Sequence, residues 1–256
     1  MSIPHTVFII PYRNRPKEKE SLDKFLTSLK KDRDWTDDDV KILYITQNDN
    51  KHFNRGAMKN IGFLYLRYIY PENYKQITLI FHDEDFHPST TQLLNYSTKK
   101  GVVEHYYGFA HVLGGIFSIK AGDFEITGGF PNYWGWGLED NVMYDRCKKH
   151  NLTVDRSNFF KIYDKNFLYV DDGDKDTKQK KISMREYYIY KYEKNETFDD
   201  IKNIVFTSNG EQLMIEKFKT GRDYSKQEFT IEDLNNTGGC IRGRSGYFRR
   251  VWKMPF

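Results

Sequence analysis

Residues 7–31 read VFIIPYRNRPKEKESLDKFLTSLKK. VFIIPY (7–12) is a short apolar run that ends in a turn, the length of a buried strand. In 17–31, Leu22, Phe25, Leu26 and Leu29 recur at helical spacing between lysines and acids. The same pairing then repeats. VKILYITQN (40–48) is strand-like, and NRGAMKNIGFLYLRYIY (54–70) carries Met58, Ile61, Leu64, Leu66 and Ile69 at helical spacing. ITLIFHDED (77–85) is a third apolar strand that stops on acids. This alternation predicts a parallel sheet covered by helices. Such sheets bind ligands beyond the carboxyl ends of their strands. Arg13-Asn14-Arg15, Gln47-Asn48-Asp49 and Asp83-Glu84-Asp85 all fall at that edge.

Composition narrows the class. At 256 residues the chain can bury a sizeable core. Charged residues make up 30% and mean hydropathy is −0.76, so a soluble protein is expected. Aromatics reach 16%, enough to leave rings spare for stacking surfaces. A net charge of +4 permits an anionic ligand and does not argue for nucleic acid. No apolar segment approaches a membrane span or a signal-peptide core. Two cysteines, Cys147 and Cys240, make no disulfide framework.

Beyond residue 100 the pattern is mixed. GGIFSI (114–119) reads as a strand and Gly128-Gly129 as a turn. GLEDNVMYDRCKKHN (137–151) starts as a helix, with acids in its first turn and Lys148, Lys149 and His150 in its last. DDGDKDTKQKK (171–181) is a charged loop, and IVFTSNGEQLMIEKF (204–218) reads as a hairpin around Asn209-Gly210. The tail, GGCIRGRSGYFRRVWKMPF (238–256), is basic and aromatic.

Three groups carry chemistry. Along a strand, alternate side chains share a face, so Asp83 and Asp85 are expected to point the same way. Paired carboxylates need a cation, and an oxygen-rich site suits Mn²⁺ or Mg²⁺. Arg13, Arg15 and Arg55, the last beside Phe53, suit a diphosphate. In Asn132-Tyr-Trp-Gly-Trp-Gly-Leu-Glu-Asp140, glycines permit close approach and indole rings stack on sugars. Glu139 and Asp140 open a helix, where ionised carboxylates are favoured, and such a group serves as a general base. His82, His87, His105 and His111 lie near the D-x-D but match no metal-hydrolase spacing.

FIIPYRNR, FNRGAMKNIGF, DED, GGIFSI and GGFPNYWGWGLED occur together, in order, over about residues 5–155. This set resembles β-1,4-galactosyltransferases. The resemblance implies a GT-A fold, a Rossmann-like mixed α/β sheet flanked by helices, here with a C-terminal extension. It implies transfer of a hexose from a UDP-sugar to a hydroxyl of a glycan or glycoconjugate, with inversion and with Mn²⁺. By position, Pro11, Arg13, Arg15, Phe53 and Arg55 resemble the UDP-binding set, and Asp83 would face the nucleotide sugar. Asp85 would ligate the metal. Gly114 and Gly115 match a turn beside the donor sugar. Trp136 resembles the tryptophan of a mobile loop that contacts donor and acceptor. Glu139 and Asp140 resemble the acceptor-binding acids, with Asp140 as the base. The expected organisation is a catalytic core over 1–155 and a part over 156–256 that completes the metal and acceptor site, packed as one domain.

The chain departs from the family in three places. The family supplies a metal-binding histidine some 25–35 residues after WGWG-x-ED, but no histidine follows His150. Asp171 is the best positional match, with Asp172 and Asp174 as rivals. The aromatic two residues before the glycine pair is Val112 here, which enlarges the donor pocket toward UDP-GalNAc or UDP-glucose as well as UDP-galactose. The family's anchor and stem are absent from the sequence, so the expected location is the cytoplasm, unless the chain is an excised domain. Two other readings stand beside the transferase: a sugar-nucleotide or glycan-binding protein that lost catalysis with the histidine, and a phosphoester hydrolase built on DED and the histidines.

Overall fold

The protein was analysed as a computed structural model that describes residues 2–170, 181–188 and 196–221. Strand β1 (Thr6–Tyr12), helix α1 (Pro16–Asp32), strand β2 (Val40–Gln47), helix α2 (Arg55–Ile69) and strand β3 (Thr78–His82) follow the predicted alternation. The strands β2, β1 and β3 lie side by side and parallel. β1 is buried on both faces, as a central parallel strand must be. Its odd residues Val7 and Ile9 pack with Ala57, Met58 and Ile61 of α2. Its even residues Phe8 and Ile10 pack with Leu22, Phe25, Leu26 and Leu29 of α1. The period of two in the strand sorts its side chains between the two helices.

The remaining strands make the sheet mixed. β4 (Phe86–Pro88) is a short strand outside the main sheet. β5 (Val102–Gly108) and β6 (Ile116–Lys120) follow, then helices α3 (Ala121–Thr127) and α4 (Glu139–Lys149). β6 pairs antiparallel with both β3 and β5. Strands β7 (Thr153–Asp155) and β8 (Phe160–Lys161) join β5 in parallel, and β9 (Phe167–Tyr169) pairs antiparallel with β4. Helix α5 (Met184–Tyr188) precedes the hairpin of β10 (Lys202–Ser208) and β11 (Gln212–Lys219). β11 lies parallel to β2, so the hairpin extends the same sheet. Among the described residues the sheet order is β10-β11-β2-β1-β3-β6-β5-β7, with β8 also on β5.

One element ends earlier than the sequence suggests. β3 stops at His82, and Asp83-Glu84-Asp85 forms a turn instead of continuing the strand. Pairing with β6 closes at His82–Ile116, and the Asp83 N–H donates to the Gly115 carbonyl (3.3 Å). The three carboxylates therefore do not alternate between faces. No helix among the described residues is long and apolar enough to cross a membrane.

Candidate active site

The carboxyl ends of β1 and β3 open on a cleft of about 460 Å³. Arg13 and Arg15 enter it from the end of β1, and Asp83, Glu84 and Asp85 from the end of β3. Phe53 and Arg55 enter at the start of α2. The opposite wall carries Val112, Gly114, Gly115, Trp136 and Asp140. Asn54 caps α2, accepting the Ala57 N–H (2.9 Å), which fixes where Arg55 leaves the helix.

Carboxylates and cations interlock there. Arg55 pairs with Asp83 and, at 3.4 Å, with Glu139. One turn further along α2, Lys59 lies 3.6 Å from Asp83 and 3.5 Å from Asp140. Arg15 reaches Glu84 at 3.6 Å. Asp85 has no ion pair among the described residues. Burial lifts the Asp83 carboxyl, but Arg55 and Lys59 outweigh it and hold the group well below the usual carboxylate range. Burial and the neighbouring Asp85 push Glu84 up to about 7, against the pull of Arg55. Asp85 is raised by burial and by Asp83. Burial lifts Asp140 to about 6, although Lys59 draws it down.

This charge pattern fits a divalent cation. The donors at the turn are all carboxylate oxygens, Asp85 makes no ion pair among the described residues, and the groups beside it repel one another. Among the described residues no three ligand side chains converge on one point. Asp171, Asp172 and Asp174 lie outside the described residues. The described chain stops just before them at Val170, whose N–H donates to the Asp85 carbonyl (3.1 Å).

The segment 132–140 divides its two tryptophans. Trp134 is a core residue, stacked on Phe218 with ring centroids 4.7 Å apart, and its indole N–H donates to Thr220 (3.1 Å). Trp136 is 44% exposed and faces the cleft. Its carbonyl accepts the Ile182 N–H (2.9 Å), and it forms a parallel bridge with Lys181. Buried amides anchor the start of the segment. Asn60 donates to the Phe130 carbonyl (2.8 Å) and to the Asn132 side chain (2.9 Å), and Asn54 donates to the Asn132 carbonyl (3.1 Å).

The glycine pair is shaped by its neighbours. A Cβ on Gly114 would collide with the Asp140 carboxyl, and one on Gly115 (φ +74°) with the Tyr107 carbonyl. Behind them His105 bonds the Gly114 carbonyl through Nε2 (3.0 Å) and accepts from Arg156 through Nδ1 (3.0 Å). Burial, followed by the Arg156 charge, lowers His105 to about 4, so the ring is neutral.

Two family models match consecutive parts of the chain. The N-terminal region of glycosyl transferase group 7 matches residues 2–97, and the N-terminal domain of galactosyltransferase matches 97–169. Bovine β-1,4-galactosyltransferase 1 is 32% identical over 165 residues, 60% of this chain and 39% of that protein. Xylosylprotein 4-β-galactosyltransferase of Caenorhabditis elegans is 28% identical over 170 residues, 60% of this chain and 56% of that protein.

The chain belongs to the β-1,4-galactosyltransferase family.

It spans about half the length of the curated relatives it matches. In fold it is similar to the catalytic domain of Drosophila β-1,4-galactosyltransferase 7, solved with xylobiose: TM-score 0.68, 20% identity, covering 93% of this chain and 99% of that one. A mutant of that enzyme, solved with manganese, UDP-Gal and xylobiose, superposes with a TM-score of 0.65. The fold is GT-A.

Most residues that the family motifs single out meet at the cleft: Arg13, Arg15, Phe53, Arg55, Asp83, Asp85, Gly115, Trp136 and Asp140. Pro11 is buried in β1 opposite Ile45 and does not line the cleft. Arg13 lines it, but its guanidinium donates to the Asp49 and Lys51 carbonyls, bracing the loop after β2. Glu139 is buried off the cleft, held by Arg55 and by the Gly137 N–H (3.1 Å). The histidines do not form one metal site: His82 is buried against the Asp83 carbonyl, His87 stacks on Phe25, and His105 sits behind the glycine pair. Sequence reading passed over Glu84 and Lys59. Lys59 had one signal, its place four residues after Arg55, which puts both on one helix face.

Proposed function

We propose that this protein is an inverting, metal-dependent glycosyltransferase that moves a hexose from a UDP-sugar to a hydroxyl of a glycan or glycoconjugate acceptor. The observation that carries the reading is the convergence, in one cleft, of Asp85, Trp136 and Asp140 with Arg15 and Phe53. Arg15 and Phe53 would hold the nucleotide, Arg15 by bidentate hydrogen bonds to phosphate and Phe53 by its ring. Asp85 would hold Mn²⁺, or Mg²⁺, together with Asp171. When bound, the metal would neutralise charge on the departing diphosphate.

The chain's own residues would do the rest. Asp140 would take the proton of the acceptor hydroxyl as that oxygen attacks the anomeric carbon. Attack from the side opposite the diphosphate inverts the centre and gives a β-linkage. Glu139, turned toward Arg55, would keep the start of α4 and the start of α2 in register, so that Asp140 and Arg55 address one substrate. Trp136 would stack on sugar at the rim. Val112, 6% exposed on the cleft wall, is smaller than an aromatic there and would leave room in the donor pocket. UDP-GalNAc, with its 2-acetamido group, and UDP-glucose, the 4-epimer, therefore belong beside UDP-galactose as donors.

UDP release from a donor panel, with Mn²⁺ and with monosaccharide and glycopeptide acceptors, tests the reading. Acceptor-dependent release with an Asp140→Asn loss of about 10²–10⁴-fold supports it. Tight UDP binding with no turnover of any donor would instead support a non-catalytic sugar-nucleotide-binding protein.

A further inference from the structure

Lys59 sits on the face of α2 that packs into the core, between Met58 and Asn60, and its side chain is 1% exposed. Its ammonium lies 3.5 Å from the Asp140 carboxylate, 3.6 Å from that of Asp83, and 4.7 Å from the Phe130 ring centroid. Burying an ammonium costs several kcal/mol unless partners compensate, and an apolar chain of similar length packs such a site at lower cost. What the charge adds is therefore electrostatic. Arg55, the nearest other cation on α2, is committed to Asp83 and Glu139. Among the described residues Lys59 is the cation that forms an ion pair with Asp140.

We propose that Lys59 is a positioning residue for the base: its ammonium bridges Asp83 and Asp140, holding the Asp140 carboxylate ionised and pointed at the acceptor hydroxyl. The inference rests on the reading of Asp140 as base. Four groups set the charge of Asp140: Lys59 and Arg55 from α2, Glu139 from α4 itself, and Asp83 from the turn after β3. Glu139 and Asp83 oppose ionisation, so does burial, and Arg55 is shared. Lys59 supplies the direct contact that favours it. It also links the two sides of the cleft, since Asp83 belongs to the donor side and Asp140 to the acceptor side.

The test compares wild type with Lys59→Met and Lys59→Gln. Two quantities are followed from pH 5 to 9: kcat at saturating donor and acceptor, and the Asp140 carboxyl titration by ¹³C NMR, assigned with Asp140→Asn. The inference expects both the acid limb of kcat and the carboxyl midpoint to move up by about one to three pH units. Activity should return toward wild type at alkaline pH, with UDP affinity unchanged. An unmoved midpoint, or a kcat depressed equally at every pH, overturns it, because a merely structural lysine would act that way. If neither variant folds, wild type decides alone: the Lys59 ¹⁵Nζ resonance must shift at the Asp140 midpoint, and a flat resonance overturns the inference. A wild-type protein that transfers no hexose sinks the transferase reading, while the NMR titration still judges the lysine.

Discussion

The carboxyl group of Asp140 rests directly on the Cα of Gly114, with no room between them for a methyl group. The Leu113 N–H, one residue earlier, donates to the Asp140 carbonyl (3.1 Å). The glycine pair and the start of α4 are thus one fitted unit. Gly114→Ala should displace the carboxylate, and a misplacement of about 1 Å costs roughly 100-fold in rate. Steady-state kinetics should show that loss in kcat, with UDP affinity by calorimetry close to wild type. Retained kcat would show that the contact does not place the base.

A pH profile follows from the environment of Asp140. Burial sets its carboxyl near 6, and a base must be ionised to act. Activity should be full above that value and fall tenfold per unit as pH drops below it. A profile flat from pH 5 to 7 would contradict the assignment.

The two tryptophans should behave oppositely. Trp134→Ala removes a stacked, hydrogen-bonded core ring and should cost about 3–5 kcal/mol by denaturant unfolding. Trp136→Ala touches a rim residue and should leave stability within about 0.5 kcal/mol while lowering transfer. Equal destabilisation by both would refute the division of roles.

Asp85 should report the metal without any turnover. Mn²⁺ at about a hundredfold excess over Kd should stabilise the protein by about 2.7 kcal/mol, roughly 5–10 °C in Tm. EDTA should reverse the rise, and Asp85→Asn should abolish it. A rise that survives Asp85→Asn would place the cation elsewhere.

The first half of the fold was legible because its physics is local. Val7, Ile9 and the leucines of α1 announce their elements by period alone. What stayed hidden depended on distant partners. The end of β3 depends on Gly115, more than thirty residues later: its φ of +74° takes the chain out of β6, so the in-register bond from the Asp83 N–H to the Gly115 carbonyl is where the pairing closes. Which tryptophan is buried is decided by Phe218 and Thr220. Arg13 lines the cleft as its type and edge position suggest, but nothing local reveals that its guanidinium also donates to the Asp49 and Lys51 carbonyls. Lys59 was hidden for the converse reason: a lysine on a helix is ordinarily at the surface.

The pairing of β11 with β2 has a temporal meaning. Asn48, at the end of β2, meets Glu216 across 168 residues of chain, and Trp134 waits for Phe218. During synthesis at about 5–20 residues per second, the ribosome must run on for several seconds after the catalytic loop emerges before its partner strand exists. Until then one flank of β2 is an unpaired edge, open to neighbouring nascent chains. Once made, the hairpin covers that edge and carries Lys202 in β10 and Glu216, Lys217 and Lys219 in β11, the kind of charge that discourages further strand addition.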